Sequence, residues 1–198
     1  HGMYDGLKRA MDICIALPLW LVSLALYPFI ALAIKAEDGG DVFVSLPRVG
    51  EDGKTIYIKK FRSMTGNDAG SYGRSGASRL SVTRVGKFLR DLRLDEFPQL
   101  LGVVRGDLSL IGPRPETPSL VQVYEKEIPY YGMRHLIKPG LSGWAQLYHD
   151  NHPHAVTDVS ATQEKLSYDL YYLKHRSLLL DVTIALKTIK KLLTRSGV

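Results

Sequence analysis

The longest apolar segment of the chain runs from Ile13 to Ile34 and contains no charged residue. At about 1.5 Å per residue, a helix of this length matches the ~30 Å hydrocarbon core of a bilayer. Prolines interrupt the segment at Pro18 and Pro28. The pattern predicts a membrane-inserted helix that either crosses the bilayer or folds back within it.

Basic residues flank this segment on both sides, with Lys8 and Arg9 before it and Lys35 after it. Because Lys and Arg near membrane segments tend to stay on the cytoplasmic side, these flanks favour a re-entrant hairpin. A proline can produce the bend, and Ser23 is close enough to hydrogen-bond the backbone there. The residues alone leave the hairpin and the single span as open alternatives.

Downstream of this segment the pattern predicts a mainly α-helical body with a small β-hairpin. Asp41–Leu46 and Lys54–Phe61 are rich in β-branched and aromatic residues and flank a turn-rich stretch, which is typical of paired strands. Apolar spacing and capping residues predict five later helices: Arg79–Leu94, Asp95–Val104, Gln122–Glu127, Gln163–His175 and Leu180–Arg195. Loops are predicted at Thr65–Ser78, Gly112–Pro115, Lys138–Trp144 and His149–His154.

The composition of the chain restricts the classes of binding partner more than it restricts the fold. The chain has 198 residues, enough for one domain with a modest core, and a formal net charge of +6. A basic excess indicates anionic partners such as lipid head groups, nucleotides, phosphates or nucleic acid. The single cysteine, Cys14, lies inside the apolar segment and excludes a disulfide framework or a cysteine zinc site.

The adjacent carboxylates Asp95 and Glu96 are the strongest candidates for chemistry. On a helical turn, neighbouring side chains point about 100° apart, so the two rarely share one role. One can act as a nucleophile or metal ligand and the other as a proton acceptor. The plainer alternative is an acidic start to a helix, which the helix dipole favours.

A second candidate is Arg114, which stands between two prolines in Gly112–Pro115. Arginine binds phosphate through paired hydrogen bonds, and a stiff loop lowers the entropy cost of holding it. The alternative is a loop stiffener without a ligand. Lys60, Arg62 and Arg90 add positive charge, although such residues are more often solvated.

Two further features have weaker signals. Asp169 is an acid among aromatic residues on a predicted helix, where helix packing is an equal alternative. The histidines of His149–His154 match no zinc spacing, so a polar loop is expected there.

Seven short motifs occur in a characteristic order. They are Lys8-Arg9-x-x-Asp12, the proline-containing apolar segment, Lys60-Phe61-Arg62-Ser63-Met64, Arg90-x-x-x-Leu94-Asp95-Glu96-Phe97-Pro98-Gln99-Leu100, Gly106-Asp107-Leu108-Ser109-Leu110-Ile111-Gly112-Pro113-Arg114-Pro115, Lys138-Pro139-Gly140-Leu141-Ser142-Gly143 and Tyr168-Asp169-x-Tyr171-Tyr172. From residue 8 to about residue 198, the chain resembles the monotopic bacterial sugar transferase family of polyprenyl-phosphate phosphoglycosyl transferases.

This resemblance implies a fold and a location. An N-terminal re-entrant membrane helix hairpin is expected over residues 3–36, broken near a proline. One catalytic domain with amphipathic interfacial helices is expected over residues 37–198. The protein would be monotopic, on the cytoplasmic face of the bacterial inner membrane. Tyr27-Pro28 stands where the family often has Ser-Pro, so the backbone at the break needs a different partner.

The resemblance also implies a reaction, in which a phosphosugar moves from a nucleotide-diphosphate sugar, expected to be a UDP-sugar, to undecaprenyl phosphate. The route implied is a covalent aspartyl intermediate with release of UMP and use of Mg²⁺, as the first membrane step of glycoconjugate biosynthesis. The implied partners are undecaprenyl phosphate, the nucleotide sugar and membrane lipids. Nucleic acid is not expected, and a homo-oligomer is left open.

Carried over to this sequence, the resemblance makes Asp95 the nucleophile and a metal ligand, and Glu96 its acid–base partner. The remaining residues expected to contact phosphate or substrate are Lys60, Arg62, Arg90, Pro113, Arg114, Pro115 and Asp169.

Two other functions account for parts of the sequence. A membrane-anchored binding module for anionic lipid or nucleic acid explains the charge and the anchor, but not the acidic pair or the Pro-Arg-Pro loop. A metal-dependent phosphatase is the other, and it would release free phosphate.

Overall fold

A computed structural model describes residues 2–65, 81–148 and 158–195. Its helices are α1 (Gly2–Ser23), α2 (Tyr27–Asp38), α3 (Arg84–Asp91), α4 (Gln99–Arg105), α5 (Pro118–Glu127), α6 (Trp144–Tyr148), α7 (Val159–His175) and α8 (Leu178–Arg195). Its strands are β1 (Phe43–Val49), β2 (Thr55–Phe61), β3 (Ser109–Ile111) and β4 (Gly140–Ser142). Short 3₁₀ turns lie at Leu24–Leu26, Glu51–Gly53, Leu94–Glu96 and Tyr131–Leu136. The predicted loops at 66–78 and 149–154 lie outside the described residues.

The mainly helical fold class with a small hairpin is confirmed. The segment Gly2–Asp38 is the one helical segment of the described residues that is long and apolar enough to cross a membrane. Most of its apolar side chains are exposed, as a membrane anchor requires. The predicted domain boundary between residues 36 and 37 falls in the last turn of α2.

The break between α1 and α2 follows from the missing backbone donor of Pro28. In a regular helix the N–H of residue 28 would bond the carbonyl of Leu24. Here the N–H of Tyr27 donates to that carbonyl instead, which tightens the chain into a 3₁₀ turn. The Ser23 hydroxyl donates to the carbonyl of Trp20 at 2.7 Å, so the expected help from Ser23 is present.

The helices α1 and α2 form the two arms of this segment, and the rest of the chain is the body. Polar contacts near the start of α1, the first arm, bind it to the body. The guanidinium of Arg9 donates to the carbonyls of Val103 and Val104, at 2.5 and 2.6 Å. The buried carboxylate of Asp12 accepts from the Ser109 hydroxyl at 2.7 Å and from the N–H of Leu110 at 3.2 Å. These bonds cap the C-terminus of α4 and hold the start of β3 against α1.

The second arm is bound to the same body at its far end. The carboxylate of Glu37 accepts from the N–H groups of Arg84 and Val85, at 2.7 and 3.0 Å. This places a negative charge at the N-terminus of α3, where the helix dipole favours it. Asp38 forms an ion pair with Arg62.

The predicted β-hairpin is confirmed. β1 and β2 are antiparallel, with Phe43 opposite Phe61 and Val49 opposite Thr55. β1 continues through Pro47–Val49, which were predicted to be part of the turn. A two-stranded sheet tolerates Pro47 because both strands are edges.

A second sheet was not predicted. β3 and β4 pair in parallel, Ser109 opposite Gly140 and Ile111 opposite Ser142. The prediction of a loop throughout Lys138–Trp144 is therefore wrong at β4. A Cβ on Gly140 would collide with the backbone of Gly112, so this glycine permits a close approach of two strands rather than a turn.

The helices around the acidic pair begin later than predicted. α3 begins after Thr83, whose hydroxyl accepts from the N–H of Gly86 at 2.8 Å and caps the helix. The predicted helix from Asp95 begins only after Pro98, because Asp95 belongs to the preceding 3₁₀ turn. The predicted helices in α5, α7 and α8 are confirmed, each with a few additional residues at its start.

A buried carboxylate joins three distant elements. Asp181 of α8 is fully buried and accepts from the hydroxyls of Tyr172 and Tyr4, at 2.6 and 2.9 Å, and from the ammonium of Lys8 at 3.2 Å. Removing one partner from a buried ion pair is costly, so α8 is fixed beside α1.

Candidate active site

The acidic pair lies in a sharp reversal between α3 and α4. Arg93 has a left-handed backbone, with φ of 55°, and the 3₁₀ turn Leu94–Glu96 follows at once. A non-glycine residue in this region is uncommon and is often found at functional sites. The turn directs Glu96 into a cavity and leaves Asp95 7% exposed.

The two carboxyl groups have different electrostatic surroundings. Burial raises the pKa of Asp95, Lys60 and Arg90 oppose that rise, and the charge of Glu96 adds to it, so the pKa of Asp95 is above its ordinary value. Burial also disfavours the charged form of Glu96. The positive charges of Lys60, Arg114 and Arg93 outweigh that penalty and hold the pKa of Glu96 below its ordinary value.

This asymmetry assigns different chemistry to the two groups. Glu96 is ionised at neutral pH, and its Oε1 accepts from the Lys60 ammonium at 2.9 Å. The pKa of Asp95 falls when further positive charge approaches, whether from a metal ion or from ordered cationic side chains. Paired titratable groups with opposite pKa shifts are a recurrent property of catalytic sites.

The predicted cations do not all face this site. Lys60 contacts Glu96, and Arg114 lines the same cavity. The Nε of Arg90 donates to the Ser63 hydroxyl at 3.0 Å. Arg62 is buried and donates to Asp38 and to the carbonyl of Asp41. Arg62 thus links the end of β2 to α2. Its predicted contact with phosphate stays a prediction.

The Pro-Arg-Pro loop is fixed through its backbone. The carbonyl of the buried Pro113 accepts from the N–H of Gly140 at 2.9 Å, and that of Arg114 accepts from Nη2 of Arg134 at 2.9 Å. Pro115 follows before the start of α5. The loop therefore holds the Arg114 side chain at the cavity while its backbone is bonded on the other side.

Asp169 is linked to this loop indirectly, through Arg134. Its carboxylate is buried and accepts from Nε and Nη2 of Arg134, at 3.0 and 2.8 Å. Nη1 of Arg134 donates to the Tyr131 hydroxyl at 2.9 Å. Asp169 is not part of the cavity lining, and its geometry supports a positioning role through Arg134 and the carbonyl of Arg114.

A cavity of about 560 Å³ extends from Glu96 to the membrane segment. One wall is apolar and comes from the end of α1 and the break. Residues of α6 and α8 also line the cavity. The lining includes Leu19, Val22, Leu26, Arg93, Glu96, Arg114, Gln146, Lys191 and Leu192.

The model of a known protein family matches residues 3–195 and is described as bacterial sugar transferase. The chain belongs to the bacterial sugar transferase family. This confirms the resemblance drawn from the seven motifs.

Several relatives within this family have descriptive names. The chain is 43% identical to a UDP-N-acetylgalactosamine-undecaprenyl-phosphate N-acetylgalactosaminephosphotransferase of Aeromonas hydrophila, over 98% of this chain and 45% of the relative. It is 38% identical to a UDP-glucose:undecaprenyl-phosphate glucose-1-phosphate transferase of Escherichia coli K12, over 96% of this chain and 41% of the relative. It is 35% identical to the exopolysaccharide production protein PSS of Rhizobium leguminosarum bv. phaseoli, over 96% of each. The chain thus spans less than half the length of the first two relatives.

The residues of this candidate site can be compared with the ligands that magnesium prefers. The described residues contain no group of three or more His, Cys, Asp or Glu side chains arranged for a metal. Mg²⁺, however, is commonly bound by one or two carboxylates together with substrate phosphates and water. Asp95 and Glu96 supply that number of carboxylates, with Glu96 in the cavity lining and Asp95 buried next to it in the chain.

Three residues of the site were not predicted from the sequence. Arg134 lies in a 3₁₀ turn outside every predicted element, and Gln146 lies in the unpredicted α6. Lys191 lies within the predicted last helix, Leu180–Arg195, but was not predicted as a site residue. No local sequence motif distinguishes these three residues from ordinary surface residues. Their place in the site depends on contacts with elements that are distant in the sequence.

Proposed function

We propose that this chain transfers a phosphosugar from a UDP-sugar to undecaprenyl phosphate and releases UMP. One observation carries the proposal, namely that Glu96, the chain neighbour of the buried Asp95, lines a cavity walled by both cationic side chains and the membrane segment. Such a cavity can bring a water-soluble anion and a membrane-bound anion to the same carboxylates. The names of the Aeromonas and Escherichia relatives describe this class of reaction.

The reaction proceeds in two displacements on the same phosphorus atom. First, a carboxylate oxygen of Asp95 attacks the phosphorus that bears the sugar. The bond from this phosphorus to the bridging oxygen breaks, and UMP leaves with the electron pair. Then an oxygen of the lipid phosphate attacks that phosphorus, and the carboxylate of Asp95 leaves. The products are UMP and a lipid diphosphate sugar.

The surrounding residues lower the cost of both displacements. Glu96, kept ionised by Lys60, accepts the proton of the incoming lipid phosphate. Arg114 and Arg90 stabilise the negative charge of the phosphates. A bound Mg²⁺, held by Asp95 and Glu96, would add further neutralisation of the diphosphate.

The membrane segment is proposed to be re-entrant. Arg9 and Asp12 of one arm and Glu37 and Asp38 of the other all bond polar groups of one body. A span would carry the ends of the arms to opposite sides of the bilayer, about 30 Å apart. Contacts along both arms with one body instead favour a hairpin with its tip near the 3₁₀ break. Both arms then end at the cytoplasmic face of the inner membrane, where UDP-sugars are available.

The reaction is tested with purified protein in lipid nanodiscs, undecaprenyl phosphate, Mg²⁺ and a panel of UDP-sugars. UMP and a lipid diphosphate sugar are expected in equal amounts from at least one donor. Asp95→Asn should lower turnover by about a thousandfold or more, whereas the matched surface change Asp91→Asn should not. Salt-sensitive lipid binding without turnover would support a binding module instead. Release of free phosphate would support a phosphatase.

A further inference from the structure

The chain just after β2 pairs with the residues that lead into α3. The N–H of Thr65 donates to the carbonyl of Ser81 at 2.9 Å. The N–H of Thr83 donates to the carbonyl of Ser63 at 3.2 Å, and Met64 forms an antiparallel bridge between these two bonds. Backbone hydrogen bonds therefore fix Ser63 relative to the start of α3.

Helix α3 also approaches Ser63 closely through a glycine. Gly86 is buried, and a Cβ added to it would collide with the carbonyl group of Ser63. Gly86 and Arg90 are four residues apart, so both lie on the face of α3 that meets this segment. The position of Arg90 relative to Ser63 is thus set by the packing of one backbone against another.

The side chain of Ser63 holds the guanidinium of Arg90 by one edge. Ser63 is 8% exposed, and its hydroxyl accepts from Nε of Arg90 at 3.0 Å. Nη2 of Arg90 donates to Sδ of Met64 at 3.5 Å, and Nη1 has no hydrogen-bond partner among the described residues. Because a guanidinium has five N–H donors in a rigid plane, fixing one edge leaves other donors aimed in a defined direction.

Arg90 lies where the chain turns toward the acidic pair. Helix α3 ends at Asp91, and the N–H of Arg93 donates to the carbonyl of Arg90 at 3.1 Å. Burial raises the pKa of Asp95, and the positive charges of Lys60 and Arg90 oppose that rise. The charge of Arg90 therefore acts on the carboxylate of Asp95, and it would act equally on a phosphate held beside that carboxylate.

We infer that Ser63 is a positioning residue that aims Arg90 at the phosphate attacked by Asp95. The inference rests on the proposed function, because this phosphate is part of the donor. In the first displacement an oxygen of Asp95 bonds to the phosphorus, and the bond to the bridging oxygen breaks as UMP leaves with the electron pair. Arg90 donates hydrogen bonds to the remaining oxygens of this phosphorus and gives up no proton. Ser63 contacts no substrate and lowers the entropy cost of ordering the guanidinium.

A double-mutant cycle tests this role. Ser63→Ala removes the hydroxyl and keeps the paired backbone, so kcat/KM for the UDP-sugar should fall by about tenfold, the scale of a hydrogen bond to a charged group. Arg90→Lys keeps a cation, but one ammonium cannot bond Ser63 and a phosphate through separate groups. Ser63→Ala should therefore lower kcat/KM by less than about twofold in the Arg90→Lys background.

Binding of UDP with Mg²⁺, measured by calorimetry, gives a second readout that does not require turnover. Ser63→Ala should raise the Kd for UDP by about tenfold when Arg90 is present and by less than about twofold in the Arg90→Lys background. Ser45→Ala makes the same substitution at an exposed position of β1 in the same hairpin and should change neither quantity. Thermal unfolding of each variant reports whether folded protein is lost.

An equal loss from Ser63→Ala in both backgrounds would show a general structural role and overturn the inference, and so would no loss in either background. If the unaltered protein releases no UMP from any donor, the proposed function itself fails. Non-additive effects on UDP affinity would then still support the positioning of Arg90 by Ser63. Additive effects, or no binding of UDP to the unaltered protein, would overturn it.

Discussion

Lys60, near the end of β2, and Arg62, just after it, are two positions apart but have different partners. Lys60 contacts Glu96, whereas Arg62 is bound by Asp38. The role of a charged side chain is therefore decided by its nearest opposite charge, which the linear sequence does not show.

The partners of the carboxylates are likewise only partly visible in the sequence. Adjacency predicted different roles for Asp95 and Glu96, and their opposite pKa shifts agree with that idea. For Asp169, the sequence could not supply its partner Arg134, which lies 35 positions away. A buried acid with a distant partner looks like a candidate ligand until the partner is known.

Arg134 is expected to be a positioning residue for Arg114. Arg134→Lys keeps the charge next to Asp169 but loses the planar fork that bonds Asp169, Tyr131 and the carbonyl of Arg114 together. We expect kcat/KM for the UDP-sugar to fall by about tenfold, mainly through a higher KM, because Arg114 is no longer held in place. Steady-state kinetics with varied donor measures this.

The KM readout separates a positioning role from a merely structural one, since KM does not depend on the fraction of protein that is folded. Arg105→Lys, at an exposed position at the end of α4, is the matched control and should behave like the unaltered protein. A lower thermal stability of Arg134→Lys with an unchanged donor KM would contradict the positioning role.

At the scale of elements, local patterns predicted most helices and the hairpin, and the errors have identifiable causes. β4 was missed because Gly140, and Gly143 just after the strand, resemble turn residues, although Gly140 permits a close approach to Gly112. α3 was predicted too early because the apolar spacing continues through its cap at Thr83. α4 was predicted to include Asp95, but the left-handed Arg93 and Pro98 isolate that residue in a 3₁₀ turn.

The membrane segment is the element whose topology matters most for the proposed reaction. In a Cys14→Ala background, a single cysteine at Met3 or at Asp52 should react with an impermeant maleimide from the cytoplasmic side alone. A cysteine at Ala25, near the proposed tip, should be protected on both sides because it would lie within the bilayer. Labelling of position 3 from the periplasm would establish a span and remove the hairpin.

At the scale of the whole molecule, the site depends on contacts between distant parts of the chain. Asp181 binds Tyr4 and Lys8 and so fixes α8 beside α1, and Lys60 reaches Glu96 from the other side. The ordered motifs predicted the family and the acidic pair. They did not predict the cavity, because its walls come from α1, α6 and α8, whose mutual packing is not encoded in any local pattern.

The covalent step is what divides the proposed reaction into two parts. In the proposal, the buried carboxylate of Asp95 holds the phosphosugar until the lipid phosphate arrives. The donor would then be consumed first and the acceptor second, as a ping-pong mechanism requires.

The most direct test is to mix the protein with Mg²⁺ and a turnover-competent UDP-sugar in the absence of any lipid phosphate, quench, and analyse the peptides by mass spectrometry. We expect a UMP burst close to the amount of enzyme and a phosphosugar added to Asp95. Asp95→Asn should show neither, and added undecaprenyl phosphate should discharge the adduct to lipid product. Sequential initial-rate kinetics with no burst and no adduct would contradict the covalent route and indicate direct attack by the lipid phosphate.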